Sequence, residues 1–222
     1  MAKSSVLGSS IAKKVAMALS GLFLISFLAL HFFINFLSVF SAETFNTYSH
    51  FMGYNPLVQY VFQPILVFGV VFHFVMGFVL ELQNRAARPI AYAKNNGAAN
   101  STWASRNMII SGLVVLAFLG LHFYDFWFPE MNYKYIAVNA IDEARYYPEM
   151  VHKFADPIRT GLYCLSFVLL FFHLWHGFGS SFQSMGINNK FSPAISKLGY
   201  VFTIVVSFGF IFIALFHHFN HH

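Results

Sequence analysis

Long apolar runs, separated by short breaks that are polar or contain Pro and Gly, occur five times along the chain. A helix needs about 20 mainly apolar residues to cross a bilayer. Because hydrocarbon offers no water to backbone groups, uncharged runs of this length indicate helices and not barrel strands. The pattern predicts an all-α membrane protein, one domain over residues 1–222, with five transmembrane helices at about 15–40, 57–82, 108–128, 158–182 and 195–216.

Composition agrees with lipid as the solvent. The chain is 58% hydrophobic and only 9% charged, against about 25% charged residues in soluble domains. The single cysteine, Cys164, allows no internal disulfide and no thiolate cluster for zinc or iron–sulfur. The net charge of +5 is not arranged as one stripe, so a nucleic-acid partner is excluded. The basic start resembles a signal peptide, but the following apolar run is too long, which predicts a retained first span.

Basic residues predict the orientation, because cytoplasmic loops carry the excess of Lys and Arg. Successive segments between spans lie on alternate sides of the membrane. The side that carries the N-terminus has nine basic residues and the other side has four. This predicts that the N-terminus is in the cytoplasm and the C-terminus is outside. The nine are Lys3, Lys13, Lys14, Arg85, Arg88, Lys94, Arg106, Lys190 and Lys197. The FPEMNYK segment is expected to end the third span. The long outer gap, 129–157, contains IDEARYYPEMVHKF, for which we expect a short interfacial helix.

Four histidines lie well inside the spans, one on each of the first four: His31, His73, His122 and His173. Polar side chains at this depth are costly and indicate function. At 1.5 Å per residue, His31 and His122 lie about 21–24 Å from the cytoplasmic helix starts, in the outer half of the bilayer. His73 and His173 lie in the inner half. The sequence therefore predicts two pairs at two depths, ~15–20 Å apart.

Two histidines at matched depth on two helices are what six-coordinate haem requires, because the iron takes one imidazole on each axial face. Gly69 and Gly77 lie one turn either side of His73, and Gly177 lies one turn after His173. Glycine at these positions lets a flat macrocycle approach the backbone. Glycine also packs membrane helices together, so both interpretations stay open.

The remaining histidines have weaker patterns. His176 follows His173 by three residues, and it is an alternative axial ligand or a contact for a haem propionate. The glycine spacing favours His173. His152 is interpreted as a solvated loop residue, and so, less firmly, is His50. No role is expected for the tail residues His217, His218, His221 and His222.

Five sequence elements carry a resemblance to a known family: LHFFIN, AETFNTYSHFMG, FHFVMG, GLHFYDFW and FHLWHGFGSSFQSMG. The chain resembles the single-polypeptide, five-helix cytochrome b subunit of succinate dehydrogenases and fumarate reductases, of the kind found in Bacteroidetes and Gram-positive bacteria. The resemblance implies a bundle that encloses two stacked b haems. His31 and His122 would be the axial ligands of the distal haem, and His73 and His173 those of the proximal one. Family members often lack a histidine at His176.

The resemblance implies a membrane anchor of succinate:quinone oxidoreductase in the bacterial inner membrane. The chain has no nucleotide loop, flavin motif or cysteine cluster, so it has no dicarboxylate site of its own. A flavoprotein and an iron–sulfur subunit are expected on the cytoplasmic face. On this face the expected docking residues for the partners, or ion-pair partners for haem propionates, are Arg85, Arg88 and Arg106. The alternative is that these charges only determine the orientation of the spans in the membrane. Menaquinone is the expected quinone, and the candidate quinone residues are Asn35, Ser38, Glu43 and His50.

Two other functions are compatible with buried histidines. The first is the cytochrome b subunit of another quinone-linked dehydrogenase, such as a formate dehydrogenase or a hydrogenase; the AETFN and SHFMG elements speak against it. The second is a haem-free transporter that uses histidines as a proton or metal relay. A relay would place its groups along one path, whereas these residues fall into two pairs.

Overall fold

The computed structural model describes residues 9–86 and 107–220, and every regular element in these two stretches is helical. Five helices are long and apolar enough to cross a membrane, which confirms the five predicted spans. They are α1 (Ser10–Leu37), α3 (Val58–Ala86), α4 (Met108–Ile136), α6 (Pro157–Ser184) and α7 (Ser192–Phe219). Two short helices, α2 (Ala42–Tyr54) and α5 (Tyr146–Ala155), lie between spans. Lys3, Arg88, Lys94, Arg106, His221 and His222 lie outside the described residues.

Side-chain caps fix where several helices begin. The hydroxyl of Ser9 accepts a hydrogen bond from the backbone N–H of Ala12 at the start of α1. The carboxylate of Asp156 accepts one from Ile158, and Pro157 occupies the first position of α6. Such caps satisfy donors that the helix itself leaves unpaired, and proline is tolerated there because it has no N–H to lose.

The third span is longer than predicted, and the expected break at FPEMNYK is wrong. The helix passes through this segment and ends at Ile136. The turn Phe123–Trp127 is π-helical, and α-helix resumes at Phe128 and continues through Pro129. An ion pair between Glu130 and Lys134, one turn apart, supports the extension.

A short helix is present where one was predicted between the third and fourth spans, although α5 begins only at Tyr146. A second short helix, α2, was not predicted. Its N-cap is Ser41, whose hydroxyl accepts from the N–H of Thr44. The two short helices pack against each other, with the rings of Phe45 and Tyr147 6.4 Å apart. They cover one end of the bundle.

Helix α6 lies at the centre of the bundle, in contact with α1, α4 and α7, while α3 packs mainly on α1. Helix α7 approaches its neighbours through glycine: a Cβ at Gly209 would collide with the ring of Phe32, and one at Gly199 with Phe178. The buried core joins α1, α6 and α7 to the two short helices. Many large apolar side chains outside this core are exposed, as contact with lipid requires.

Candidate functional site

The four intramembrane histidines meet in two pairs. The ring centres of His31 and His122 are 5.7 Å apart, with the planes at 84°. Those of His73 and His173 are 6.4 Å apart, at 72°. All four rings are at least partly withdrawn from the surface. These are the same two pairs that the depth of each histidine in its span predicts.

The two pairs lie at different levels of the bundle. Ser20 of α1 contacts His73, and His31 follows Ser20 by eleven residues on the same helix. At 1.5 Å per residue this separates the levels by about 16 Å. We call His73 and His173 the inner pair, and His31 and His122 the outer pair. A spacing of this size keeps the two sites distinct while both stay within the membrane.

Hydrogen bonds from neighbouring helices hold the inner pair. The Ser20 hydroxyl lies 3.0 Å from Nδ1 of His73. The Ser111 hydroxyl, on α4, lies 3.3 Å from Nδ1 of His173. Bonding at Nδ1 leaves Nε2 of each ring available. Neither serine was predicted as a site residue, because hydroxyls are common in membrane helices.

Aromatic rings surround the outer pair. Phe27 stacks on His31 at 5.5 Å, and Phe118 lies 5.9 Å from His122. The side-chain amide of Asn35 donates to the carbonyl of His31 at 2.8 Å and approaches its ring nitrogens only at 3.5 Å. Nδ1 of His122 is buried without a hydrogen-bond partner. The outer imidazoles are therefore held by ring packing more than by hydrogen bonds.

The ring of His173, and not that of His176, faces His73. The three glycines singled out in the sequence contact helices α1 and α4. A Cβ at Gly69 would lie 2.8 Å from Phe23, while at Gly77 and Gly177 it would meet a methionine methyl group at 3.6 and 3.5 Å. These glycines permit close helix packing; a haem contact for them stays a prediction.

Two of the four candidate quinone residues are in direct contact. Asn35 and Ser38 lie together near the end of α1, but Ser38 is buried and its hydroxyl lies 2.8 Å from Nε2 of His217. Glu43 is exposed in the first turn of α2. His50 stacks on Tyr54 with ring centres 4.5 Å apart.

His217, for which no role was expected, is one of the most buried side chains of the described chain, with 1% of its surface exposed. It is held by Ser38, whose hydroxyl also donates to the carbonyl of Asn35 at 2.6 Å. A polar connection thus runs from the fifth span to the turn that follows His31. The sequence offered a clue, since His217 falls within the last apolar turn of that span.

A buried carboxylate lies beside the outer pair. Asp125 is 2% exposed and sits in the π-helical turn three residues after His122. Its Oδ2 accepts a hydrogen bond from the Tyr163 hydroxyl at 3.0 Å and lies 3.2 Å from Nε of Arg159, while Oδ1 has no partner. Asp125 was not predicted as a site residue, although an acid within an apolar span indicates function by default.

A charged cluster closes the end of the bundle near His50. The Arg145 guanidinium bonds to Glu130 and to both carboxylate oxygens of Glu149, and it lies 4.4 Å from the centre of the Tyr146 ring. Burial by itself lowers the pKa of Arg145, but the two carboxylates outweigh it and raise that pKa. Burial and the charge of Glu130 raise the pKa of Tyr146. The cluster ties α4 to α5.

In the described stretches, four histidine side chains within the membrane spans meet in pairs and are possible metal ligands. Nowhere in the two described stretches do three His, Cys, Asp or Glu side chains gather around one point. Zinc sites in proteins use three or four such ligands. Two imidazoles from different helices could supply two ligands to one metal ion.

No family model, curated protein or solved structure matches the chain. The class of the protein is therefore defined by its fold and by the geometry of its histidines. It is a multi-pass helical membrane protein with two intramembrane histidine pairs.

Proposed function

We propose that the chain is the membrane-anchor cytochrome b subunit of a succinate:quinone oxidoreductase. One observation carries the cytochrome part of this proposal: four intramembrane histidines from four helices meet as two pairs. The assignment to succinate oxidation or fumarate reduction comes from the sequence resemblance alone. The expected partners are a flavoprotein and an iron–sulfur subunit.

The spacing of the pairs fits a shared metal. Two imidazoles that each place a nitrogen about 2 Å from one metal ion have ring centres about 6 Å apart. The observed separations are 5.7 and 6.4 Å. When bound, the two b haems supply one-electron transfer between the iron–sulfur partner and quinone. The chain's own residues hold the ligand rings in position and exclude water around them.

Quinone is expected at the outer end of the bundle, where polar groups lie near the outer histidines. Asn35 and Ser38 follow His31 on α1, and Asp125 follows His122 on α4. Hydroxyl, amide and carboxylate groups are the donors and acceptors that a quinone head needs. Menaquinone is preferred on the resemblance alone.

The soluble partners are expected at the opposite end, beside the inner pair. Arg85 in the last turn of α3 has a largely exposed side chain, and its guanidinium Nε donates to Glu81 at 2.7 Å, one turn away. Because this side chain is 70% exposed, its other guanidinium nitrogens could bond a partner or a propionate. Orientation with the N-terminus in the cytoplasm follows from the basic residues of this side.

The test is haem content and its dependence on single histidines. A reduced-minus-oxidised visible spectrum with pyridine haemochrome quantitation is measured on the purified full chain, on His73→Ala and on His122→Ala. We expect two b haems per chain in the wild type, and the loss of a different one in each variant. His152→Ala, an exposed residue of α5, is the matched control and should keep both.

Two results would contradict the proposed function. Absence of haem from the wild type, in a host shown to load another b-type cytochrome, would overturn the cytochrome proposal in favour of a haem-free transporter. If haem is present, purification from native membranes identifies the partner. Succinate–quinone reductase activity in that complex supports the proposal, whereas copurification with a formate dehydrogenase or hydrogenase overturns the succinate assignment.

A further inference from the structure

Two serines contact the inner histidines in the same way. Ser20 on α1 reaches Nδ1 of His73 on the next spanning helix, α3, at 3.0 Å. Ser111 on α4 reaches Nδ1 of His173 on the next spanning helix, α6, at 3.3 Å. In each case the hydroxyl comes from a helix that contributes its own histidine to the outer pair. Each half of the bundle, α1 with α3 and α4 with α6, therefore contains an equivalent contact.

Counting protons shows which ring nitrogen carries hydrogen. A serine hydroxyl has one proton to donate and two lone pairs. Ser20 donates its proton to the carbonyl of Met17 at 2.8 Å, and Ser111 donates to the carbonyl of Met108 at 2.9 Å. Toward the imidazole each hydroxyl then acts as an acceptor, so Nδ1 is the protonated nitrogen. Nε2 keeps a free lone pair, which is the form that binds a metal.

The arrangement is built twice because the sequence is repeated. Residues 17–32 and 108–123 are identical at nine of sixteen positions, and both read Met-x-x-Ser-Gly-Leu before a His-Phe pair. The partner helices repeat as well, since Phe-His-x-x-x-Gly-Phe occurs at 72–78 and at 172–178. The same serine–histidine contact thus occurs in both copies, as expected if the repeated sequence determines it.

The glycine after each serine gives the imidazole room. A Cβ at Gly21 would lie 3.3 Å from Cε1 of His73, and one at Gly112 would lie 3.6 Å from Cε1 of His173. A larger side chain at Gly21 would press on the ring that Ser20 holds. Each Ser-Gly pair thus combines an acceptor for Nδ1 with space for the ring.

We propose that Ser20 and Ser111 are positioning residues, which fix the tautomer and ring orientation of His73 and His173 so that both Nε2 atoms are free to bind one metal. Naming that metal as haem iron rests on the proposed function. Donation of the Nδ1 proton makes an imidazole a more basic ligand. A more basic axial ligand stabilises ferric over ferrous iron, so the serines should keep the potential of the inner haem low.

The test is a potentiometric titration of both haems in Ser20→Ala, Ser111→Ala and the double variant, followed by EPR of the low-spin ferric signals. The inner signal is the one that His73→Ala lacks. We expect the inner potential to rise in each single variant and further in the double variant, with the outer potential unchanged. Weakened haem retention of roughly tenfold is typical of losing such a hydrogen bond. Threonine at either position restores a hydroxyl and should restore the potential.

Matched controls separate this role from general loss of a hydroxyl. Ser26 and Ser166 also donate to backbone carbonyls of their own helices, those of Leu22 and Leu162, at 3.0 and 2.7 Å, but both hydrogen bonds are exposed. Ser26→Ala and Ser166→Ala should leave both potentials unchanged. An unchanged inner potential in Ser20→Ala and Ser111→Ala, or an equal shift of both haems, would overturn the positioning role.

A second measurement keeps this inference distinct from the proposed function. In the haem-free chain labelled with ¹⁵N-histidine, we expect the His73 resonances to report the Nδ1–H tautomer, and Ser20→Ala to convert them to a mixture. A chain that binds no haem but shows this change would refute the cytochrome while keeping the positioning role. A chain that binds two haems but shows neither the tautomer change nor a potential shift would refute the positioning role alone.

Discussion

Tyr163→Phe tests the buried carboxylate beside the outer histidines. The substitution removes only the hydroxyl that donates to Asp125 at 3.0 Å. Oδ1 of Asp125 already lacks a partner, so the carboxylate would keep a single interaction, with Arg159 at 3.2 Å. A hydrogen bond to a charged group contributes about 1.5–3 kcal/mol. No bulk water is present at this depth to replace the lost hydrogen bond. We therefore expect the free energy of unfolding to fall by about 2 kcal/mol.

The assay is reversible unfolding of the full chain in mixed micelles by increasing dodecyl sulfate, followed by circular dichroism. Tyr124→Phe is the matched control, because Tyr124 is adjacent to Asp125 but 65% exposed, and a change within about 0.5 kcal/mol is expected there. In an Asp125→Asn background the cost of Tyr163→Phe should fall, with a coupling energy of about 1 kcal/mol. Equal free energies of unfolding for the two Tyr→Phe variants would show that the hydroxyl does not stabilise the carboxylate.

Two further predictions concern packing and pH. Gly209→Ala places a methyl group against the ring of Phe32 and should reduce the free energy of unfolding by about 1–3 kcal/mol. Gly161→Ala is the control, because the space around its Cβ position is open. It should be neutral or slightly stabilising in the same unfolding assay. Burial and Glu130 raise the pKa of Tyr146, so the unfolded chain loses this proton first and stability should decline above about pH 10. Tyr146→Phe should make that decline shallower in unfolding curves recorded between pH 8 and 11, and an unchanged pH dependence would contradict the cause assigned to it.

Hydrophobic runs were sufficient to predict the five spans, because the requirement for internal backbone hydrogen bonds leaves few alternatives in lipid. The end of the third span was missed, since a proline was interpreted as a break. Whether Pro129 interrupts a helix depends on the turn before it, and a π-helical turn is not visible in composition. Helix α2 was missed for a different reason: its stability comes from packing on α5, a contact distant in sequence.

Depth along each helix was sufficient to predict which histidines meet, because the rise per residue is constant. It was not sufficient to find what holds them. The roles of Ser20 and Ser111 depend on where a neighbouring helix places its imidazole, and a serine pattern within one span carries no such information. Their repetition at 17–32 and 108–123 was available in the sequence and would have drawn attention to both.

The duplicated segments have a consequence for how the bundle is organised. Each pair joins equivalent positions of the two copies, His31 with His122 and His73 with His173, so each copy supplies one histidine to each pair. One two-helix unit, such as residues 10–86, already carries half of each site, and two copies of it would complete both. The fifth spanning helix has no counterpart in this duplication. By packing on α1 and α6, it makes the surroundings of the two copies unequal.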